Sequence, residues 1–374
     1  MGICNLYMIG SREGPAYRNP TDYHALRGVV LVTVDYHSHH DPPAYLELLE
    51  GRTQSPRARR NPDGGWIYTV DDDPFGNEWS WGPRFEDIDE NLADMDRAGI
   101  DVSVLSPAPV GGELAATDIG FAKEGLGLLN QELAAVQAEH PTRFRALAML
   151  PLQDTDSSIE LLDTAVTDLG MAGVCIPVNL QGASIAPARL IPLYKRMEEL
   201  GVPIVLHPSL RSTVFESSIK PSSGSVGRLF EVGLAWVYDT SMAVLSLISS
   251  GVFDECPELK VLHPHTGGVI PFITGRIRGA LSVPKTMQEY TLERSVDEYL
   301  NTNVYVDIAA GSSPDMLALA VDTYGADHIL FGSDYPFFPR SKYDELLDEL
   351  DDELAEGIRS NTLPGIEVAV GEQR

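Results

Sequence analysis

The sequence predicts an α/β protein, a closed (β/α)8 barrel, and three observations carry that expectation. Eight apolar, β-branched runs recur along the 374 residues, segments of helical spacing separate them, and glycines fall at the joins. In chain order the strands are expected at Val29–Tyr36, Val102–Ser106, Phe144–Leu150, Gly173–Val178, Pro203–His207, Lys260–His263, Val304–Ile308 and Ile329–Gly332. Ile88, Leu92 and Met95 repeat at helical spacing with acidic residues between them, as do Leu190, Leu193, Met197 and Leu200. Gly99, Gly170, Gly201 and Gly251 each fall just past such a pattern, where a left-handed helix cap is wanted. A doubly wound open sheet is the alternative, but no Gly-rich phosphate loop follows the first strand.

Four stretches stand outside the repeat. Residues 1–28 read as an irregular lead-in, and 29–374 as a single barrel. Residues 50–84, rich in Pro, Gly, Arg and Trp, read as a long insertion loop after the first strand. Residues 208–226 form a Ser-rich loop after the fifth, and 341–374 a C-terminal helix and tail. Loops that follow barrel strands lie on the face where active sites are built.

Composition excludes several classes. Lys and Arg total 27 against 55 for Asp and Glu, a net charge of −28, which repels nucleic acid and anionic membranes. No uninterrupted apolar run of about 18 residues argues for a membrane span. The stretch Met1-Gly2-Ile3-Cys4-Asn5-Leu6 has neither the basic head nor the apolar core of a signal peptide, and Leu6 stands where myristoylation wants Ser or Thr. Three cysteines in so long a chain make no disulfide framework and fit a cytoplasmic protein. Acidic residues crowd 344–356, which reads as a solvated helix face.

The chemistry lies in the histidines. Six of nine fall at the C-terminal end of an expected strand. Residues two apart on a strand share a side, so His37 and His39 can grip one ion while Ser38 faces away. His207 ends the fifth strand, His263 and His265 the sixth, and Asp334 the eighth. Imidazoles and a carboxylate gathered on one face suit a divalent cation such as zinc, manganese or iron. His24, His140 and His328 lie in connections or at the opposite strand end and read as structural. No dinucleotide, flavin or phosphate motif occurs, so no organic cofactor is expected.

The order His-x-His, His-Pro, His-x-Gly-Gly with Pro271 and Gly275-Arg276 beyond, then Gly332-Ser333-Asp334-Tyr335-Pro336, resembles the amidohydrolase-related family, most closely the aminocarboxymuconate semialdehyde decarboxylase type. The likeness runs from about Val34 to about Phe337. It implies a distorted barrel with one catalytic divalent metal, His37, His39, His207 and Asp334 as ligands, and His265 as acid/base beside a metal-bound water. Such a water has its pKa lowered to about 7, so a neighbouring His can exchange its proton near neutrality. The expected reaction is non-oxidative decarboxylation of a small unsaturated or aromatic acid. The alternatives are hydrolysis of a lactone, amide or C–C bond at the same site, a two-metal oxygenase, and a subunit paired with a paralogue.

A carboxylate substrate wants a guanidinium clamp. The resemblance implies that Arg276 reaches a neighbouring subunit's pocket in a homodimer or higher oligomer. The family's second arginine has no counterpart in register, Arg84 being the nearest. The cluster Arg52, Arg57, Arg59 and Arg60 is therefore the candidate replacement. His263, Cys175 and His40 are candidates for a second metal or for support behind the ligands. The apolar Val226–Phe253 stretch reads as a barrel helix that could also form a dimer interface.

Overall fold

The computed structural model describes residues 32–62, 64–71, 78–115, 117–210, 229–282 and 292–368. The lead-in 1–28, His24, most of the Ser-rich loop and the last residues of the tail lie outside them.

Eleven strands are found among the described residues. They are β1 (Val34–His39), β2 (Arg57–Arg60), β3 (Trp66–Thr69), β4 (Glu78–Trp81), β5 (Val102–Ser106), β6 (Phe144–Ala148), β7 (Gly173–Pro177), β8 (Ile204–His207), β9 (Val261–His263), β10 (Val304–Asp307) and β11 (Ile329–Leu330). Eight form one parallel sheet in the order β1-β5-β6-β7-β8-β9-β10-β11. The ends meet where Tyr36 N–H donates to Phe331 O and His39 N–H to Tyr335 O. Those bonds, with a bridge between Ser38 and Tyr335, bring the sheet round to a (β/α)8 barrel, as the repeat predicts.

The helices form for the reasons the spacing gives. Asp87 caps Ile88–Ala98 by accepting from Glu90 N–H, and Gly99 ends it at φ 66. Gly170, Gly201 and Gly251 also adopt positive φ. Ile119–Glu139 places Leu126, Leu129 and Leu133 on one buried stripe, each worth about 2 kcal/mol of apolar transfer. The exception is the helical segment Glu231–Ser249. By composition it is long and apolar enough to cross a membrane, and only half of it is buried. Leu229 and Phe230 just before it, and Leu234, Tyr238 and Met242 along it, stay exposed.

Two expectations change. β1 begins later and runs through His39, so the His-x-His pair lies inside the strand rather than just after it. Its backbone keeps pairing there because the β11 turn and Ser106 supply carbonyl acceptors. Residues 50–84 are also more than a loop. β2, β3 and β4 make an antiparallel sheet in which alternate residues Ala58, Tyr68 and Trp79 are buried, while Arg59 and Ser80 lie on the other face.

Candidate metal centre

β1 contributes His37 and His39, the end of β8 contributes His207, and the turn after β11 contributes Asp334. Ligand atoms of all four lie within 4.8 Å of one another, and all four residues are buried. Asp334 reaches in from the left-handed region at φ 60, a conformation costing a non-glycine residue of order 1 kcal/mol. Its N–H on His37 O (2.8 Å) helps hold it there.

The outer ring nitrogens fix the inner ones. His37 Nδ1 donates to Asp307 Oδ2 at 2.8 Å. His39 Nδ1 lies 3.1 Å from Ser106 Oγ and 3.2 Å from Pro107 O, and His207 Nδ1 lies 3.0 Å from Pro208 O. Carbonyl and carboxylate oxygens only accept, so each Nδ1 carries a proton and Nε2 is the atom each ring offers inward.

That inward geometry fits a cation. His39 Nε2 and His207 Nε2 stand 3.2 Å apart, Asp334 Oδ1 lies 3.0 Å from His39 Nε2, and His37 Nε2 is buried with no hydrogen-bond partner. Lone pairs facing one another repel unless a positive charge lies among them. His37 reports the same demand. Burial alone lowers its pKa, but Asp307 and Asp334 outweigh burial and raise it to about 9. His207, buried and crowded by His39 and His37, is held well below its ordinary value.

His265 sits beside this cage, its ring centroid 5.4 Å from that of His37, with a buried Nδ1 that has no partner. Burial first, and then the neighbouring His37, lowers its pKa. Its placement depends on a left-handed turn: His265, Thr266, Gly267 and Gly268 have φ of 59, 58, 75 and 59. Here the Gly-Gly pair has a physical reason. A Cβ on Gly267 would lie 2.6 Å from Tyr324 Oη, and one on Gly268 2.5 Å from Val237 O.

The reading from sequence missed Asp307, at the end of β10. Its Oδ1 accepts the N–H of His265 (2.8 Å) and of Ala309 (3.0 Å) while Oδ2 holds His37. Burial raises its pKa and the His37 and His265 contacts more than reverse that. The signal was available: Asp307 ends a barrel strand, as do the other site residues. Phe337 was missed too. It meets the His39 ring at 5.7 Å and continues into Trp81 and Phe85, each 4.9 Å away.

The remaining candidates are placed elsewhere. His263 turns outward to the helix layer, with Nε2 3.0 Å from Thr240 Oγ1, so it does not face the axis. The left-handed turn that follows β9 parts it from His265. His40 is buried, which lowers its pKa to about 4 although a hydrogen bond to the Phe85 backbone acts the other way. Cys175 is a buried thiol beside Ser106, its pKa pushed up to about 12, and lines a small cavity with His207, Pro107 and Met149. His328 stacks on Tyr305 and donates to Val304 O.

The arginine cluster is committed within the insertion. Arg57 pairs with both Asp71 oxygens, Arg59 with Glu78, and Arg60 with Glu86 while lying over Trp66. Arg52 donates to Gln54 O and Ser55 O and lies over Phe121. Strand alternation explains it: the face of the sheet with Tyr68, Trp79 and Trp81 is packed inward, so Arg57 and Arg59 point away. Arg276 is exposed on the Ile270–Leu281 helix.

A parallel barrel whose strand ends cage three imidazoles and a carboxylate defines the metal-dependent amidohydrolase class of enzyme. The comparisons agree: the chain matches the amidohydrolase family over residues 34–365 and belongs to it. It is 32% identical over 266 residues to a gamma-resorcylate decarboxylase of Polaromonas sp., covering 68% of this chain and 78% of that protein. It is 30% identical over 301 residues to a 2-amino-3-carboxymuconate-6-semialdehyde decarboxylase of Dictyostelium discoideum, covering 76% and 78%. A solved 2,6-dihydroxybenzoate decarboxylase complexed with 2,6-dihydroxybenzoate superposes with a TM-score of 0.69 at 26% identity, covering 88% of this chain and 97% of that one.

Proposed function

We propose that the protein is a non-oxidative decarboxylase of a small aromatic carboxylic acid, dependent on one divalent cation, zinc before manganese or iron. The observation that carries the reading is the cage of His37, His39, His207 and Asp334 with the unpartnered His265 Nδ1 beside it. Relatives named as decarboxylases favour loss of CO2 over hydrolysis. His37, His39, His207 and Asp334 would hold the cation, which would supply a Lewis acid for an anionic oxygen of the substrate. Phe337, Trp81 and Phe85 give a planar ring an aromatic wall.

His265 does the proton work. Neutral when free, it accepts a proton from a substrate hydroxyl or from water. It then returns that proton to the carbon bearing the carboxylate as the C–C bond breaks and CO2 leaves. With the Arg52–Arg60 cluster committed elsewhere, Arg276 of a second copy is the proposed cationic contact, and the exposed apolar side chains Phe230, Leu234 and Met242 are the surface across which that copy would pack.

The test is gas release. Metal-loaded protein incubated with 2,6-dihydroxybenzoate and a panel of related aromatic acids should liberate CO2 in step with loss of the acid. Turnover of lactone or amide substrates without CO2 would overturn the lyase reading.

A further inference from the structure

A second carboxylate ties the two halves of the donor set together from behind. The pairing of β1 with β5 slips by one residue between Asp35 and Ser38, so Asp35 shares the helix-facing side with Ser38 although it stands two residues from His37. There it is completely buried. Oδ1 accepts the backbone N–H of His37 (3.2 Å) and of Ser333 (3.0 Å). Oδ2 accepts Ser333 Oγ (2.6 Å) and Arg340 Nε (2.7 Å).

We infer that Asp35, with Arg340 as its counter-charge, is a positioning residue that locks the His37 strand and the Asp334 turn into one preformed metal cage. The inference rests on the four donors being a cation site. His37 is itself a donor, and Ser333 directly precedes Asp334, so one carboxylate holds the backbone at two of the four ligands. Asp334 N–H (2.8 Å) and Ser333 N–H (3.3 Å) also reach His37 O directly, and Asp35 braces that pairing from the helix-facing side. Ser333 is fixed further by Tyr343 Oη on its carbonyl (2.8 Å), and its hydroxyl receives Tyr335 N–H (3.0 Å).

Arg340 makes the arrangement affordable in a dry environment. Its side chain is fully buried, reaching Asp94 Oδ1 (3.3 Å) and Ser103 Oγ (2.9 Å) and lying over the Tyr335 ring. An unpaired Asp35 carboxylate in this position would be strongly destabilising. Asp94 belongs to the Ile88–Ala98 helix and touches neither ligand segment, so it serves as the control: same buried ion network, no tie to the cage.

The test is cation affinity of the metal-stripped full chain, titrated with Zn2+ or Mn2+ by calorimetry, alongside melting temperature without metal. Asp35→Asn and Ser333→Ala should weaken binding about 10- to 100-fold, the range for loss of groups that orient ligands, while Asp94→Asn stays within about twofold. Should Asp35→Asn not fold, Ser333→Ala decides. Equal affinity in wild type and both cage variants, or an equal loss in Asp94→Asn, would reduce the network to ordinary stability and overturn the inference. Wild-type protein binding no cation would instead remove the site reading itself.

Discussion

Asp307 joins His37 to His265: one oxygen of its carboxylate holds the His37 imidazole at 2.8 Å and the other holds the His265 backbone N–H at 2.8 Å. A ligand and the proposed proton carrier are therefore set by a single side chain. Asp307→Asn keeps the shape but lets an amide face the His37 ring or the His265 N–H as a donor. Cation affinity should fall about 10- to 100-fold, and at saturating metal kcat should remain depressed because His265 is displaced. Full recovery of kcat by added metal would show that Asp307 serves His37 alone.

The insertion sheet hangs on Asp41. Tyr68 Oη donates to Asp41 Oδ2 at 2.7 Å and Ala108 N–H to Oδ1 at 2.9 Å. Tyr68→Phe leaves a buried carboxylate short of a donor, which costs about 1–3 kcal/mol. Urea denaturation should report that loss, and limited proteolysis should cut within 50–84 sooner than in wild type. Unchanged cutting would mean that the sheet is held by its aromatic contacts alone.

The arginines of β2 should be dispensable for substrate. Their ion pairs with Asp71, Glu78 and Glu86 are partly exposed, and such pairs contribute about 0–1 kcal/mol each. Changing Arg57, Arg59 and Arg60 to Ala is expected to lower the melting temperature slightly and leave KM unchanged. A clear rise in KM would restore them as the carboxylate clamp.

Acid sensitivity follows from His263. Burial, opposed by Asp307 and reinforced by His265, lowers its pKa from 6.5 to about 3. The unfolded chain binds that proton from pH 6.5 downward and the folded chain does not, so stability is complete above 6.5 and falls with pH below it. The slope is about 1.4 kcal/mol per pH unit for one such group. His263→Gln retains a partner for Thr240 and should flatten the melting temperature profile between pH 6.5 and 4.5. An unaltered profile would assign the acid loss to other groups, His40 first.

The barrel was legible because strand and helix periods repeat eight times, and the cage because His37, His39, His207 and Asp334 all close strands on one rim. What sequence could not show depends on partners far away in the chain. Asp35 lies two residues from His37, yet a bulge sends it to the opposite face. Arg340 looks like a surface residue in a Pro-rich turn and is fully buried. The Arg-rich β2 reads as a cationic arm until its pairing with β3 shows which face is packed. His263 and His265 are two apart, but the left-handed turn beginning at His265 separates them.

The central claim is tested most directly by diffraction at the metal's absorption edge on crystals of stripped and reloaded protein. One ion per chain is expected, bonded to His37 Nε2, His39 Nε2, His207 Nε2 and an Asp334 oxygen, with His265 close by and His263 and Cys175 apart from it. An ion held by other residues, or none after saturation with zinc, manganese and iron, would contradict the account.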